Sequence, residues 1–151
     1  MTSKPRHSPE GEALFQVIVL VLGTFFKLRA ADQRMGTVSS WGGGNWGLMR
    51  SLALEGPQTV PQLARARPVA RQRIQKIADE LAAAGLVEFV DNPGHKRSKL
   101  LRLTARGEAK QREMTERIQD AADALARDLP LKDLKSAAGI LARLSDRLDG
   151  A

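Results

Sequence analysis

The apolar positions fall into helical spacings before anything else is read. The first run, Ala13 to Phe26, is ALFQVIVLVLGTFF, broken only by Gln16, Gly23 and Thr24. Leu14, Ile18, Val21, Phe25 and Leu28 form one seam, and Phe15, Val19, Leu22 and Phe26 form a second beside it. A helix apolar nearly all round needs cover on more than one side, which a monomer of 151 residues scarcely supplies, so the pattern predicts a partner subunit. Gly36 and then Gly42, Gly43 and Gly44 interrupt it, placing the helix end near Arg34 and a second helix start near Gly44. Trp46, Met49, Leu52 and Ala53 give the second helix its inner face, and Gly56-Pro57 ends it.

Thr59 caps a short third helix with Pro61 in its first turn, carrying Val60, Leu63 and Ala64. Pro68 forces a break. A longer helix follows from about Val69 to Ala83, with Val69, Ile74, Ile77, Ala78 and Leu81 inward and Gly85 as its C-terminal stop. Arg71, Gln72, Arg73, Gln75 and Lys76 occupy its other faces. Two helices, a tight break between them and a basic outer face on the second make a helix-turn-helix arrangement. Leu86 to Val90 then reads as a strand, Asp91-Asn92-Pro93-Gly94 as a turn and Lys99 to Leu103 as the returning strand. The tip of this hairpin holds His95, Lys96, Arg97 and Lys99, so it reads as a basic wing. Thr104 caps a helix running to about Asp128, with Gly107 tolerated in its first turn. That helix would extend about 36 Å. Pro130 opens a last helix striped with Leu131, Leu134, Ala138, Leu141, Leu144 and Leu148.

Charge sharpens the picture. The net charge is +7, and between Arg65 and Arg102 nine basic residues face four acidic ones. A localised excess is more informative than a high isoelectric point and points to a polyanion. The absence of cysteine excludes disulfides, thiolate metal sites and thiol redox sensing, and His7 and His95 alone suggest no metal site. There is no nucleophile elbow, P-loop or dinucleotide glycine fingerprint, so the expectation is a protein without enzymatic turnover and without cofactor. The apolar run falls short of the roughly 20 residues a membrane span needs, and no small-residue cleavage pattern follows it, so neither an anchor nor a secretory signal is expected.

Three pieces carry a family resemblance: TVPQLA at Thr59 to Ala64, ELAAAGLVEFV at Glu80 to Val90, and NPGHKRSKLLRLTARG at Asn92 to Gly107. In this order, with helices before and after, the chain resembles the MarR-type winged helix-turn-helix transcription regulators. The resemblance implies a mostly α fold with a small β-wing (α+β), whose N- and C-terminal helices interlock as a dimerisation platform. Residues 1–8 are then a disordered tail and 9–151 a single domain. Within it 9–35 and 104–149 are dimerisation helices and 44–103 the winged helix-turn-helix, with the helix-turn-helix at about 59–83 and the wing at about 86–103. It further implies that the helix from Val69 reads the major groove and that Arg97 enters the minor groove. The chain departs from the family pattern at Ala70, where a Ser usually caps the recognition helix, at Phe89, usually Arg, and at His95, usually an acid that tethers the wing Arg.

The residues assigned to DNA are therefore Ala70, Arg71, Gln72, Arg73, Gln75 and Lys76 on the recognition helix, with Arg65, Lys96, Arg97 and Lys99 on the wing and phosphates. Arg forks onto guanine O6/N7 and Gln pairs with adenine N6/N7, while a wing-tip Arg suits the electronegative minor groove. Arg65, Lys96, Lys99 and Arg102 read equally as phosphate contacts or as solubility charges. Leu14, Ile18, Val21, Phe25, Leu134, Leu141, Leu144 and Leu148 are assigned to the dimer. In the family, effectors often bind where the platform meets the DNA-binding lobe, which makes Phe26, Trp41, Trp46 and Met49 candidate walls of a small-molecule pocket, with core packing as their ordinary alternative. The expectation is a cytoplasmic homodimeric repressor on a near-palindromic double-stranded operator, controlled by a small molecule. The competing reading is an effector-blind architectural or protein-interaction module with weak sequence preference.

Overall fold

Ser8 opens the first helix, α1 (Pro9–Met35): its hydroxyl accepts the Gly11 amide at 3.0 Å and its carbonyl the Glu12 amide at 3.0 Å. Pro9 stands in the first turn with Glu10 and Glu12, where a fixed φ and negative charge both favour a helix start. The computed structural model describes residues 6–35, 44–66 and 69–150, with backbone alone for 32–35. Ser8, expected to lie in a tail, instead caps α1; residues 1–5, and Trp41 with them, lie outside the described residues. The chain groups into two compact units, Met1–Glu116 and Arg117–Ala151.

In the first unit, no residue of α1 from Pro9 to Ala31 is buried, and Phe15, Leu20, Leu22 and Phe26 stand exposed. The apolar run sits inside a helix extended at both ends by polar residues. Pro9–Ala31 is consequently long and apolar enough to cross a membrane, by length and composition only, which corrects the expectation of too short a segment.

The core of this unit lies between three helices and a hairpin. It joins Leu48, Met49 and Leu52 of α2 (Asn45–Glu55), Leu63 and Ala64 of α3 (Val60–Ala66), and Ile74, Ile77, Ala78 and Leu81 of α4 (Arg71–Ala83). Val87 of β1 (Val87–Val90) and Leu101 of β2 (Leu100–Leu103) close it. On α2 the inward positions are Leu48, Met49 and Leu52, while Ala53 is exposed and Trp46 half-buried. The expected inner face was rotated by one position, because the small Ser51 and Gly47 also pack inside.

The third helix begins with a reciprocal cap: Gln62 Oε1 accepts the Thr59 amide at 2.8 Å, and Thr59 Oγ1 accepts the Gln62 amide at 3.3 Å. The fourth begins at Arg71, two residues later than the periodicity suggests, with Ala70 as an N-cap that offers no side-chain acceptor. Gly85 ends it in the left-handed region, φ 72°, and the Gly85 and Leu86 amides reach back to the Ala82 and Leu81 carbonyls at 2.9 Å each.

β1 and β2 pair antiparallel with Val87 opposite Leu103, Glu88 opposite Arg102, Phe89 opposite Leu101 and Val90 opposite Leu100. Gln58 adds an isolated bridge to Leu101 on the hairpin's other edge. At the tip, Asn92 Oδ1 accepts the Gly94 amide at 3.0 Å, the side-chain turn that Asn-Pro-Gly favours. From the hairpin the chain enters α5 (Ala105–Leu125), capped by Thr104, whose hydroxyl accepts the Gly107 amide at 3.0 Å and donates to the Gly85 carbonyl at 2.7 Å. Gly107 is required there rather than tolerated. A Cβ at Gly107 would sit 2.8 Å from the Leu86 carbonyl carbon, closer still to its oxygen, and 3.2 Å from Leu103 Cδ2.

The second unit contains the end of α5 and α6 (Leu131–Asp149). The fifth helix stops at Leu125, three residues short of expectation: the Leu129 amide folds back on the Ala126 carbonyl at 3.0 Å and Asp128 takes φ 68°. Pro130, as N-cap of α6, keeps the preceding residue out of the helical region. No residue of α6 is buried, and Leu131, Leu134, Ile140, Leu141 and Leu148 remain exposed along it.

Candidate nucleic-acid interface

The amphipathic pattern of α4 divides its residues cleanly. Ile74, Ile77, Ala78 and Leu81 anchor it in the core, which leaves Arg71, Gln72, Arg73, Gln75 and Lys76 exposed on the outside, beside an exposed Ala70. The Gln75 carboxamide donates to Asp79 Oδ1 at 2.9 Å one turn later. Arg65 is exposed in the last turn of α3, where a cation complements the helix dipole.

The wing supplies the second basic element. Two consecutive turns shape its tip, with the His95 amide donating to the Asn92 carbonyl at 3.1 Å and the Ser98 amide to the His95 carbonyl at 3.2 Å. His95, Lys96, Arg97 and Lys99 are all exposed on it. Arg102 faces away from this group into an ion pair, its Nε 2.8 Å from Glu88 Oε1 across the strand pair. Both side chains are half-exposed, so the pair is worth about 0–1 kcal/mol.

The structure brings helix and wing together around one cleft of about 550 Å³. Arg71, Gln72 and Gln75 line one side, Arg97, Ser98 and Lys99 the other, and Val60, Pro61 and Phe89 the floor. Arg71, Arg97 and Lys99 make no ion pair among the described residues. Unpaired cations over an apolar floor are suited to phosphate oxygens at the rim and sugar or base edges within. Arg65, Arg73, Lys76 and Lys96 lie outside this cleft. The contribution of Phe89, Val60, Pro61 and Ser98 was missed by sequence reasoning; the replacement of an Arg by Phe89 was its one visible signal, since a ring there packs against the core and floors the cleft.

The dimer candidates lie on α1 and α6: Leu14 and Leu144 are half-buried, and Ile18, Val21, Phe25, Leu134, Leu141 and Leu148 exposed. The pocket candidates are not gathered into one wall. Met49 is 1% exposed and belongs to the core, because the inner face of α2 points it there. Trp46 donates its indole N–H to Thr115 Oγ1 of α5 at 3.0 Å and lies beneath the Arg50 guanidinium, while Phe26 is exposed on α1 with its ring edge-on to Phe25.

A family model described as MarR family matches residues 43–98, the span from the start of α2 to the wing tip. An uncharacterized protein of Mycobacterium tuberculosis is 36% identical over 104 residues, covering 66% of this chain and 72% of the relative. The crystal structure of a MarR family transcription regulator superposes with a TM-score of 0.74 over 92% of each chain at 26% identity. A mutant MarR from E. coli complexed with operator DNA shares the fold, with a TM-score of 0.68 at 20% identity over 87% of this chain and 93% of that one. Element order, the wing after the helix-turn-helix and these likenesses agree: the chain belongs to the MarR family of winged-helix transcriptional regulators.

Proposed function

We propose that the protein is a homodimeric, cytoplasmic repressor that binds a near-palindromic duplex operator and is released by a small-molecule effector, acting by binding rather than turnover. The observation that carries the reading is the cleft between α4 and the wing, where Arg71, Arg97 and Lys99 converge without acidic partners among the described residues. In a dimer, two such faces one helical turn apart, about 34–36 Å, meet successive major grooves on one side of a duplex. The unburied apolar length of α1 and the leucine stripe of α6 support the dimer, since a second copy gives both the cover the single chain lacks. The operator-bound E. coli neighbour supports a duplex as the partner. An effector that prefers a dimer with the wrong lobe separation shifts the population off DNA to the extent of its differential affinity.

Selection of binding sites from random duplex DNA tests the reading, repeated with Arg71→Ala and Arg97→Ala. The expected result is an inverted repeat whose affinity falls in both variants, with relaxed base preference in the first. Retained affinity in both would remove the residue assignments, and no preferred duplex at moderate salt would remove the regulator reading in favour of an architectural module.

A further inference from the structure

We infer that Gln58 is a positioning residue that sets where the wing stands relative to the recognition helix. Gln58 is 8% exposed, unusual for a carboxamide outside a helix or strand, and its backbone and side-chain Nε2 join two elements, β2 and α2. Its backbone pairs with the returning wing strand in both directions, Gln58 amide to Leu101 carbonyl at 3.1 Å and Leu101 amide to Gln58 carbonyl at 2.7 Å. Its side-chain Nε2 lies 3.3 Å from both the carbonyl and the hydroxyl of Ser51 and 3.4 Å from the Gly56 carbonyl, on the last turn of α2. The next residue, Thr59, begins the capping box of α3, against which α4 packs. Gly56, at φ 80°, turns the chain so that Gln58 can return beneath that last turn.

The consequence for DNA follows from the geometry of the hairpin. Leu101 lies directly opposite Phe89, and Phe89 floors the cleft that carries Arg97 and Lys99 on one side and Arg71 on the other. The wing strand is thus held at Leu101 by a residue whose own side chain is clamped to the helical body. Buried polar groups with few alternatives fix geometry because any other arrangement leaves them unsatisfied. Releasing the carboxamide frees the strand edge and moves the arginine at the tip, while the α4 face stays packed by its own apolar stripe.

The assignment rests on the DNA-binding reading, and its test separates the two. The probe is a labelled duplex carrying the inverted repeat recovered by selection, titrated with Gln58→Met, Arg97→Ala, Arg71→Ala and the two double variants. Gln58→Met keeps the side-chain length and removes the amide. It is expected to weaken binding on the order of three- to tenfold, to add nothing in the Arg97→Ala background, and to multiply fully with Arg71→Ala. Hydrogen exchange gives a readout without DNA: the Gln58 and Leu101 amides should exchange faster in the variant while those of Ile77 and Ala78 do not. Loss that multiplies equally with both arginine variants, or exchange that accelerates uniformly through α4, means that Gln58 only supports the fold and overturns the assignment. Should Gln58→Met fail to fold, Ser51→Ala, which removes one acceptor of the same clamp, takes its place in the same cycle. No affinity loss in the folded variant also overturns it. A wild-type protein that binds no duplex at all overturns the DNA reading instead.

Discussion

Replacing Gly107 by Ala sets helix propensity against packing, and the two give opposite signs. In the interior of an exposed helix the substitution stabilises by about 1 kcal/mol. In this protein the new methyl would overlap the Leu86 carbonyl oxygen and press on Leu103 Cδ2 at 3.2 Å. That carbonyl accepts the Thr104 amide at 3.1 Å, and Thr104 in turn caps the helix and bonds Gly85, so the backbone cannot give way without disturbing the junction. Overpacking costs about 1–3 kcal/mol and a weakened backbone hydrogen bond about 1 more. Against the gain in propensity, the net is a destabilisation of about 1–3 kcal/mol. Urea denaturation followed by circular dichroism, at one fixed protein concentration because the stability of the proposed dimer would depend on it, measures the change. A thermal midpoint lower by about 3–10 °C is expected for a chain of this length. A variant as stable as the parent, or more so, would refute the close approach of α5 to the strand entry.

Four further outcomes follow from the same structure. Ala70→Ser should supply the acceptor missing at the start of α4 and stabilise the protein by about 1 kcal/mol, read as a rise of a few degrees in thermal midpoint. Leu141→Glu, on a helix with no buried residue, should leave the helical circular dichroism of the chain intact while light scattering reports a shift from the proposed dimer towards monomer. Glu88→Gln should change stability by less than about 1 kcal/mol, since its ion pair with Arg102 is half-exposed, and should leave the salt dependence of DNA binding nearly unchanged. Arg97→Ala, by contrast, should reduce that salt slope by about one unit.

What the sequence displayed was what periodicity and backbone chemistry encode. The caps at Thr59 and Thr104, the stop at Gly85 and the basic face of α4 were all visible as residue types at helical spacing. Boundaries drifted where two signals competed, as at Val69, which packs on the core from outside the helix it was expected to begin. The inward turn of Met49 against the outward one of Ala53 depends on the small residues Gly47 and Ser51, which carry no hydrophobic signal. Gly107 read as an indifferent glycine because its constraint comes from Leu86, twenty-one positions earlier, which local pattern does not reach. The cleft was half legible for the same reason: its cations stand on two recognisable elements, but its floor of Val60, Pro61 and Phe89 comes together only through tertiary packing.

The indole of Trp46 ties the first turn of α2 to α5 through Thr115, whose hydroxyl also receives the Gln111 carboxamide at 2.9 Å. Indole emission reports on local polarity and on the charge above the ring, here that of Arg50. In a Trp41→Phe background this side chain becomes a native optical gauge of the two helices' separation. Any event that parts them would be recorded as a red shift, with no dye attached.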